Sequence, residues 1–518
     1  MMPQYTRVRA IVLIVVLATT AIGCGQKSSA ASARPASTPA TGQTDTDMGR
    51  NLADSVLGEF PNLRDGVSLR AWKKLHSTDT IQEYSPQVAE VENWCVRARS
   101  EASLGSGRNW LRTAYFYVPD PPASLALPVG TPKEELIDEC RLGLVWTEIE
   151  DTDAARAQAL TVRESLAAAL GPGDTDPKIN WWASAFWSNP VLWKRDVLSI
   201  AAAFTKFHKW GSTESRPPAR VFVAAAGPKS KTIFDQKFGD DHGAAYIAKR
   251  KRIAAFANEA VKIAAISGAV EQAIRSAQDL VAVKDGSIAI PTAEERTQIF
   301  MVIDQWLSVA RPLPPLRRAA ALIVADQLMD QSGGPNWDKN DSPDIRKRLE
   351  AQGAVFEWDQ LGGTYAFTHT WLKEALKLDR DGRAGELAFM TLLEKGFETS
   401  NQCLDQQGKS FRAVIRESEG YLRRRPDSTF TADIHLMIAQ AYGDIVTIAN
   451  GGGYLESESE FAEYRAESAG ARSKAIEHYR IALESAPNNS RPDAAWPEAW
   501  RLMAGIPPTH TYFYCVYD

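Results

Sequence analysis

The chain has 518 residues, 44% of them apolar and 24% charged, with a formal net charge of -5. That balance excludes an intrinsically disordered chain and an integral membrane protein, and Gly and Pro at background frequency exclude collagen-like and low-complexity classes. So mild an acidic charge leaves no electrostatic footprint for nucleic acid. The length predicts two large domains or three of ordinary size.

In chain order, Arg7 and Arg9 precede an apolar run, Ala10–Ala18, after which Thr19, Thr20, Ala21, Ile22 and Gly23 lead to Cys24. A basic start, a short apolar core and small residues make an export signal, too short for a stable spanning helix. Ala21-Ile22-Gly23-Cys24 resembles the lipobox of bacterial lipoproteins, departing from it at Ala21, where Leu is usual. The resemblance implies that Cys24 is acylated and becomes the mature N-terminus, anchored outside the cytoplasm. Gly25, where Asp would imply retention at the inner membrane, implies the outer membrane with the body facing the periplasm. Several acyl chains would hold the protein firmly where one would not. Gly25–Thr44 is nearly all Gly, Ala, Ser, Thr and Pro, the composition of a flexible tether.

Beyond the tether the elements are mixed. Ser85-Pro86 reads as the start of a helix with Val88, Val91, Trp94, Cys95 and Ala98 on one stripe. Leu111–Val118 reads as a strand stopped by Pro119, Pro121 and Pro122, with Arg141–Ile149 as its partner. Asp153–Leu170 reads as a helix ended by Gly171-Pro172-Gly173. Asn189-Pro190 reads as the cap of a helix carrying Val191, Leu192, Val197, Leu198, Ala201 and Phe204, and Arg220–Ala226 as a short strand. Helices are then predicted over 241–267, 269–283, 292–310, 315–331, 343–352, 367–377 and 382–396. The 292–310 helix opens on a capping box, Thr292 to Glu295. Residues 253–270 are apolar but carry Asn258, Glu259 and Lys262, which predicts a buried amphipathic helix rather than a membrane span.

Near the C-terminus, Ala475, Tyr479, Ala482 and Pro487 fall at the spacing of the second helix of a tetratricopeptide repeat (TPR), which this stretch resembles. Small residues let paired helices approach, the aromatic fills the gap, and Pro forbids continuation. Ile434–Tyr442 resembles a first TPR helix, with Ala439 and Tyr442 at its small and aromatic positions. A weaker second copy, Val414–Pro426, keeps Leu422 and Pro426 but has Ser418 where an aromatic belongs. The interval from Pro426 to Pro487 exceeds one repeat, and the excess lies mainly between Tyr442 and Ala475. An insertion at 450–473 therefore lengthens the hairpin or adds a turn. The resemblance covers about 405–505 and implies a concave surface for a protein or peptide partner. Its rim is expected on 450–473 and on the faces of 434–442 and 475–483.

Besides Cys24, Cys95, Cys140, Cys403 and Cys515 remain. Four cysteines in an oxidising compartment point to two disulfides in one of three connectivities. Pairing neighbours along the chain joins Cys95 to Cys140 and Cys403 to Cys515, spacings unlike the close pairs of a zinc ribbon.

Candidate chemistry is sparse. Trp181, Trp182, Trp187, Trp193 and Trp210 suit either a sugar-stacking platform or a Trp-rich core, and core is the expectation. Asp240, Asp241 and His242 at a helix start read as capping before they read as an acid–base pair. His369 is expected to be structural. Asp379–Gly382 and Asp338–Ser342 offer oxygen ligands without calcium-loop spacing. Gly227–Thr232 lacks the ending of a phosphate loop, and no Gly-x-Ser-x-Gly or His-Glu-x-x-His occurs. No catalytic residue, metal or cofactor is expected.

The reading is a mainly α protein with a smaller mixed α+β N-terminal part. Its expected parts are a signal peptide 1–23, lipidated Cys24 with a linker to 45, an α+β region 46–180, a helical region 181–400, and a TPR-like helical region 401–518. The function expected is a membrane-anchored scaffold or adaptor for an envelope protein partner. The alternative is an envelope enzyme or glycan-binding protein working through 46–400.

Overall fold

A computed structural model describes residues 53–84, 94–105, 108–150, 155–175, 187–195, 197–206, 219–229, 244–284, 287–289, 291–332, 343–359, 364–395, 409–450, 458–485 and 492–508. The expected signal peptide, Cys24 and the linker lie outside these residues. The described chain divides into two compact units, 53–229 with 496–508, and 244–495. Helices outnumber strands, so the mainly α expectation holds.

The first unit begins with helices α1 (Phe60–Asp65) and α2 (Leu69–Leu75). Gly66 ends α1 in the left-handed region at φ 58°, and the Ser68 hydroxyl caps α2 by accepting from the Ala71 amide at 3.2 Å. Then come β1 (Thr80–Glu83), β2 (Trp94–Gly105), β3 (Arg108–Tyr117), α3 (Lys133–Asp138), β4 (Arg141–Glu150), α4 (Ala155–Leu170), β5 (Trp187–Arg195), β6 (Leu198–Lys206) and β7 (Ala219–Ala226). All seven strands form one antiparallel sheet, in the order β1-β2-β3-β4-β7-β6-β5. Four strands meander outward-in. The chain then passes through α4 to the far edge and meanders back until β7 pairs with β4.

Three expectations are corrected here. The sheet does not stop near 180, because β5–β7 complete it. The helix expected from Asn189-Pro190 is the β5–β6 hairpin, with Leu192 opposite Ala201 and Trp193 opposite Ile200. Pro190 is tolerated because β5 is an edge strand whose register shifts between Ser188 and Val191, leaving no ladder bond to lose. The helix expected to carry Trp94, Cys95 and Ala98 is strand β2 over those residues, and 85–93 lie outside the described residues. The partnership of Leu111–Val118 with Arg141–Ile149 is observed as β3–β4. β7 is buried from Val221 to Ala226, since α4 packs along β5–β7 and α1 against β4 and β7. A strand covered on both faces reads as a continuous apolar run rather than an alternating one.

The second unit contains α5 (Ala244–Ala264), α6 (Ala269–Leu280), α7 (Ala293–Ala310), α8 (Pro315–Gln331), α9 (Pro343–Ala351), α10 (Thr370–Leu378), α11 (Arg383–Glu394), α12 (Lys409–Arg424), α13 (Thr431–Ala449) and α14 (Glu458–Ser485). Thr292 and Glu295 exchange the two hydrogen bonds of the expected capping box, at 3.2 and 2.7 Å. α8 is the axis of this unit. It is buried on every side from Ala319 to Met329 and packs against α5, α7, α10 and α11. Its run AAALIVADQLM is apolar nearly all round, as a wholly enclosed helix requires. The Trp306 indole of α7 donates to the Ala321 carbonyl at 2.9 Å. Ala319, Ala320 and Ala321 let the neighbouring backbones come that close.

The last helix, α15 (Pro492–Met503), splits the region expected at 401–518. From Trp496 onward it belongs to the sheet unit. The Trp496 indole donates to the Pro119 carbonyl at 3.0 Å, and the buried Arg501 donates to the Trp94 carbonyl at 2.6 Å. Residues 496–508 are thus part of the sheet unit.

Candidate functional site

The residues singled out by the repeat pattern come together on α13 and α14. Ala439, Tyr442, Ala475, Tyr479 and Ala482 are all buried, and Pro487 lies outside the described residues. The helices run antiparallel, since His435 meets His478 while Tyr442, two turns on, meets Lys474. α14 begins at Glu458, so 458–473 of the expected insertion lengthen its second helix. α12 lies alongside. The Tyr442 hydroxyl donates to Glu419 at 3.3 Å, and Arg412 reaches Glu467 at 3.1 Å and the Tyr464 hydroxyl at 3.4 Å. Ser418, at the weaker copy's aromatic position, is fully buried, and Tyr421 of the same helix stacks on Phe389 with ring centres 4.0 Å apart.

Inside this helical trio is a polar seam. The Nδ1 atoms of His435 and His478 are 2.8 Å apart, and the Lys474 ammonium donates to the Tyr442 hydroxyl at 3.2 Å. Burial, reinforced by the neighbouring ring, pushes the His435 imidazole down to about 4. Burial also lowers His478, although Glu419 and Glu477 pull it upward. Both rings are therefore neutral at pH 7. Sequence reasoning passed over the pair, because forty-odd residues separate them and only the antiparallel register brings them together.

Two further polar clusters are built differently. In the helical unit, His369 stands at the start of α10 in the left-handed region at φ 53°. Its Nδ1 lies 2.9 Å from a carboxylate oxygen of the buried Asp326, and its Nε2 lies 3.9 Å from Asp330. Lys395 holds Asp330 at 2.7 Å. Burial would raise the Asp330 carboxyl, but Lys395 and His369 outweigh it and hold it at about 2. With partners on both ring nitrogens, His369 braces α10 against α8.

In the sheet unit, Arg112 donates to Glu59 at 3.2 Å and to Asp79 at 3.0 Å, and the Trp72 indole donates to Asp79 at 3.0 Å. His76 accepts at Nδ1 from Arg112 at 3.1 Å, which leaves its Nε2–H to donate to Glu59 at 3.3 Å. The network ties α1 and α2 to β3 and leaves the imidazole no free nitrogen. A depression on α7, lined by Met301, Asp304, Gln305 and Arg348, is similarly self-satisfied, since Asp304 is held by Arg348 and Gln352.

Of the other candidates, Trp193 is buried and donates to the Gly171 carbonyl at 2.9 Å, a core role. Asp379 uses one carboxylate oxygen to accept from the Ala384 and Gly385 amides at 2.9 and 3.2 Å, capping α11 rather than waiting for a cation. Cys95 and Cys140 are buried against one another as thiols. Cys403, Cys515, Trp181, Trp182, Trp210, Asp240, Asp241, His242 and Asp338–Ser342 lie outside the described residues, as does the Trp187 side chain. No helix among the described residues is long and apolar enough to cross a membrane, and none of their His, Cys, Asp and Glu side chains gather in a metal-holding group of three. No known family matches the chain, and no curated protein or solved structure is significantly similar to it.

Proposed function

We propose that this chain is a lipid-anchored extracytoplasmic protein whose helices α12–α14 form a TPR-like docking surface for a protein or peptide partner in the cell envelope. The observation that carries the reading is the burial of Ala439, Tyr442, Ala475, Tyr479 and Ala482 along one antiparallel hairpin. Small and aromatic residues at those spacings are what close helix pairing of the TPR kind demands. The hairpin spends them on its interior and turns Glu463, Arg465, Glu467 and Glu477 outward. Acylation at Cys24 and a flexible tether would hold this surface near the outer membrane, facing the periplasm.

Deleting 405–518 is an unsuitable test, because 496–508 belong to the sheet unit. A photo-crosslinking residue at Glu463 or Arg465 in living cells is suitable, with Arg70 of the sheet unit as the exposed control. The reading expects an adduct from the hairpin positions that is absent at Arg70 and lost when Cys24→Ser releases the protein from the membrane. Equal labelling at all positions, or no change on Cys24→Ser, contradicts it.

A further inference from the structure

The His435–His478 pair is laid out as a metal chelate. Each imidazole sits on a long helix, α13 or α14, whose positions are fixed by the buried residues between them. The two Nδ1 atoms face each other at 2.8 Å, with the rings tilted by 34°. A divalent transition-metal ion bonds imidazole nitrogen at about 2.0–2.1 Å. Two such bonds at a right angle need nitrogens about 2.9 Å apart, and at the tetrahedral angle about 3.3 Å. The observed spacing, held by a hydrogen bond between the rings, lies closer to the first than to the second.

We propose that His435 and His478 form a two-imidazole site for a divalent transition-metal ion of tetragonal preference, Cu²⁺ ahead of Zn²⁺. In the free protein one Nδ1–H donates to the other ring's Nδ1. On binding, the donor ring moves its proton from Nδ1 to Nε2, so both Nδ1 lone pairs become available to the ion and no net charge leaves the pair. The groups around the site tolerate a cation. Glu419 of α12 and Glu477 of α14 face His478, against the single ammonium of Lys474. Glu477 is held by Arg480 at 2.7 Å on the exposed surface, a pairing weak enough to exchange. No third His, Cys, Asp or Glu joins the two rings among the described residues, so the remaining positions would be open to water. The ion would pin α13 to α14 at the heart of the proposed docking surface, but its binding does not depend on a partner.

The test is titration of the full mature chain with Cu²⁺ and with Zn²⁺ at neutral pH, followed calorimetrically and by electron paramagnetic resonance. The site expects one Cu²⁺ whose spectrum carries splitting from two nitrogens. It also expects Zn²⁺ to bind at least about tenfold more weakly. His435→Ala and His478→Ala should each abolish the two-nitrogen signal, and His435→Gln, which keeps size and polarity, should abolish it too while preserving the thermal unfolding of the protein without metal. Cu²⁺ binding that survives in these variants, or a wild-type spectrum with no nitrogen splitting, overturns the proposal.

Discussion

The thiols of Cys95 and Cys140 meet inside the sheet unit, where neither side chain touches water. Cys95 is the second residue of β2, and Cys140 immediately precedes β4. Burial pushes the Cys140 thiol well above its ordinary range, and the Cys95 thiol beside it adds to the effect. The thiolate is the nucleophile of disulfide exchange, so the folded, reduced pair is inert. The bond must therefore close while the domain is still open. Protein exported through an oxidising compartment should yield one peptide linking Cys95 to Cys140. Protein folded in reductant should keep both thiols unlabelled by a thiol reagent until denaturant is added. The linked form should be more stable by about 2–4 kcal/mol. Rapid labelling of either thiol in the native reduced protein would contradict this.

Two glycines should respond in opposite ways to alanine. A Cβ on Gly385 would stand 1.9 Å from the Asp379 carbonyl oxygen, and the same residue's carboxylate caps α11. Backbone cannot yield as a side-chain tip can, so Gly385→Ala should cost about 3 kcal/mol. A Cβ on Gly470, on the exposed face of α14, would meet nothing within 4 Å. There the helix gains and nothing is displaced, so Gly470→Ala should add up to about 1 kcal/mol. Chemical denaturation of the two variants beside the wild type decides both signs.

Ser418 tests how far the weaker repeat copy has drifted. Its hydroxyl is buried without a hydrogen-bond partner among the described residues. Ser418→Ala removes the unsatisfied group and should stabilise the protein by about 1 kcal/mol. Ser418→Phe restores the aromatic of the repeat pattern, but it must fit where serine is already fully enclosed, and should destabilise by about 1–3 kcal/mol. A stabilising Ser418→Phe would mean the site retains room for the repeat's aromatic.

Acid should loosen the sheet unit through His76. Burial and the Arg112 guanidinium hold its imidazole below the usual 6.5, although Glu59 and Asp79 pull the other way. Below that pH the unfolded chain takes up a proton that the folded chain resists. Stability therefore rises with pH in this window and is lost as pH falls through the depressed folded value. Urea midpoints taken between about pH 5 and pH 8 should slope accordingly, and His76→Gln should flatten the slope. A steeper acid loss in His76→Gln would place the titration elsewhere.

How much of this was legible beforehand depends on the range of the interaction. The capping box at Thr292, the strand pair around Leu111 and Arg141, and the helices from 244 to 394 are written in local spacing, and they appear where that spacing puts them. The β5–β6 hairpin misled because Val191, Leu192, Leu198 and Ala201 suit a helical stripe as well as a buried strand. Only the pairing of β5 with β6, and of β6 with β7, decides between the two. Pro190 gave the better signal, as an edge-strand bulge rather than a helix cap. The candidate site was half legible. The buried small and aromatic residues of α13 and α14 follow a sequence period. The His435–His478 contact follows from the hairpin's register, which no local pattern encodes.

The same distinction hides the role of Arg501, which sits on α15 hundreds of residues from two of its partners, Trp94 and Tyr84. It is 1% exposed, and its guanidinium donates to the Trp94 carbonyl at 2.6 Å and to the Pro507 carbonyl at 2.8 Å. It also lies 4.6 Å over the Tyr84 ring. A buried cation is tolerated here because carbonyl oxygens and a ring face replace its water. Arg501→Met keeps the stem but removes the hydrogen bonds to both carbonyls, and should cost about 2–4 kcal/mol. Arg501→Lys should recover part of that, since an ammonium cannot span both carbonyls as the planar fork does. Ending the chain after Asn489 should remove the whole brace. Hydrogen exchange would then report lost protection in β2 and β3 while α8 and α13 keep theirs. Protection that survives the truncation in β2 would mean that the sheet closes without its C-terminal segment.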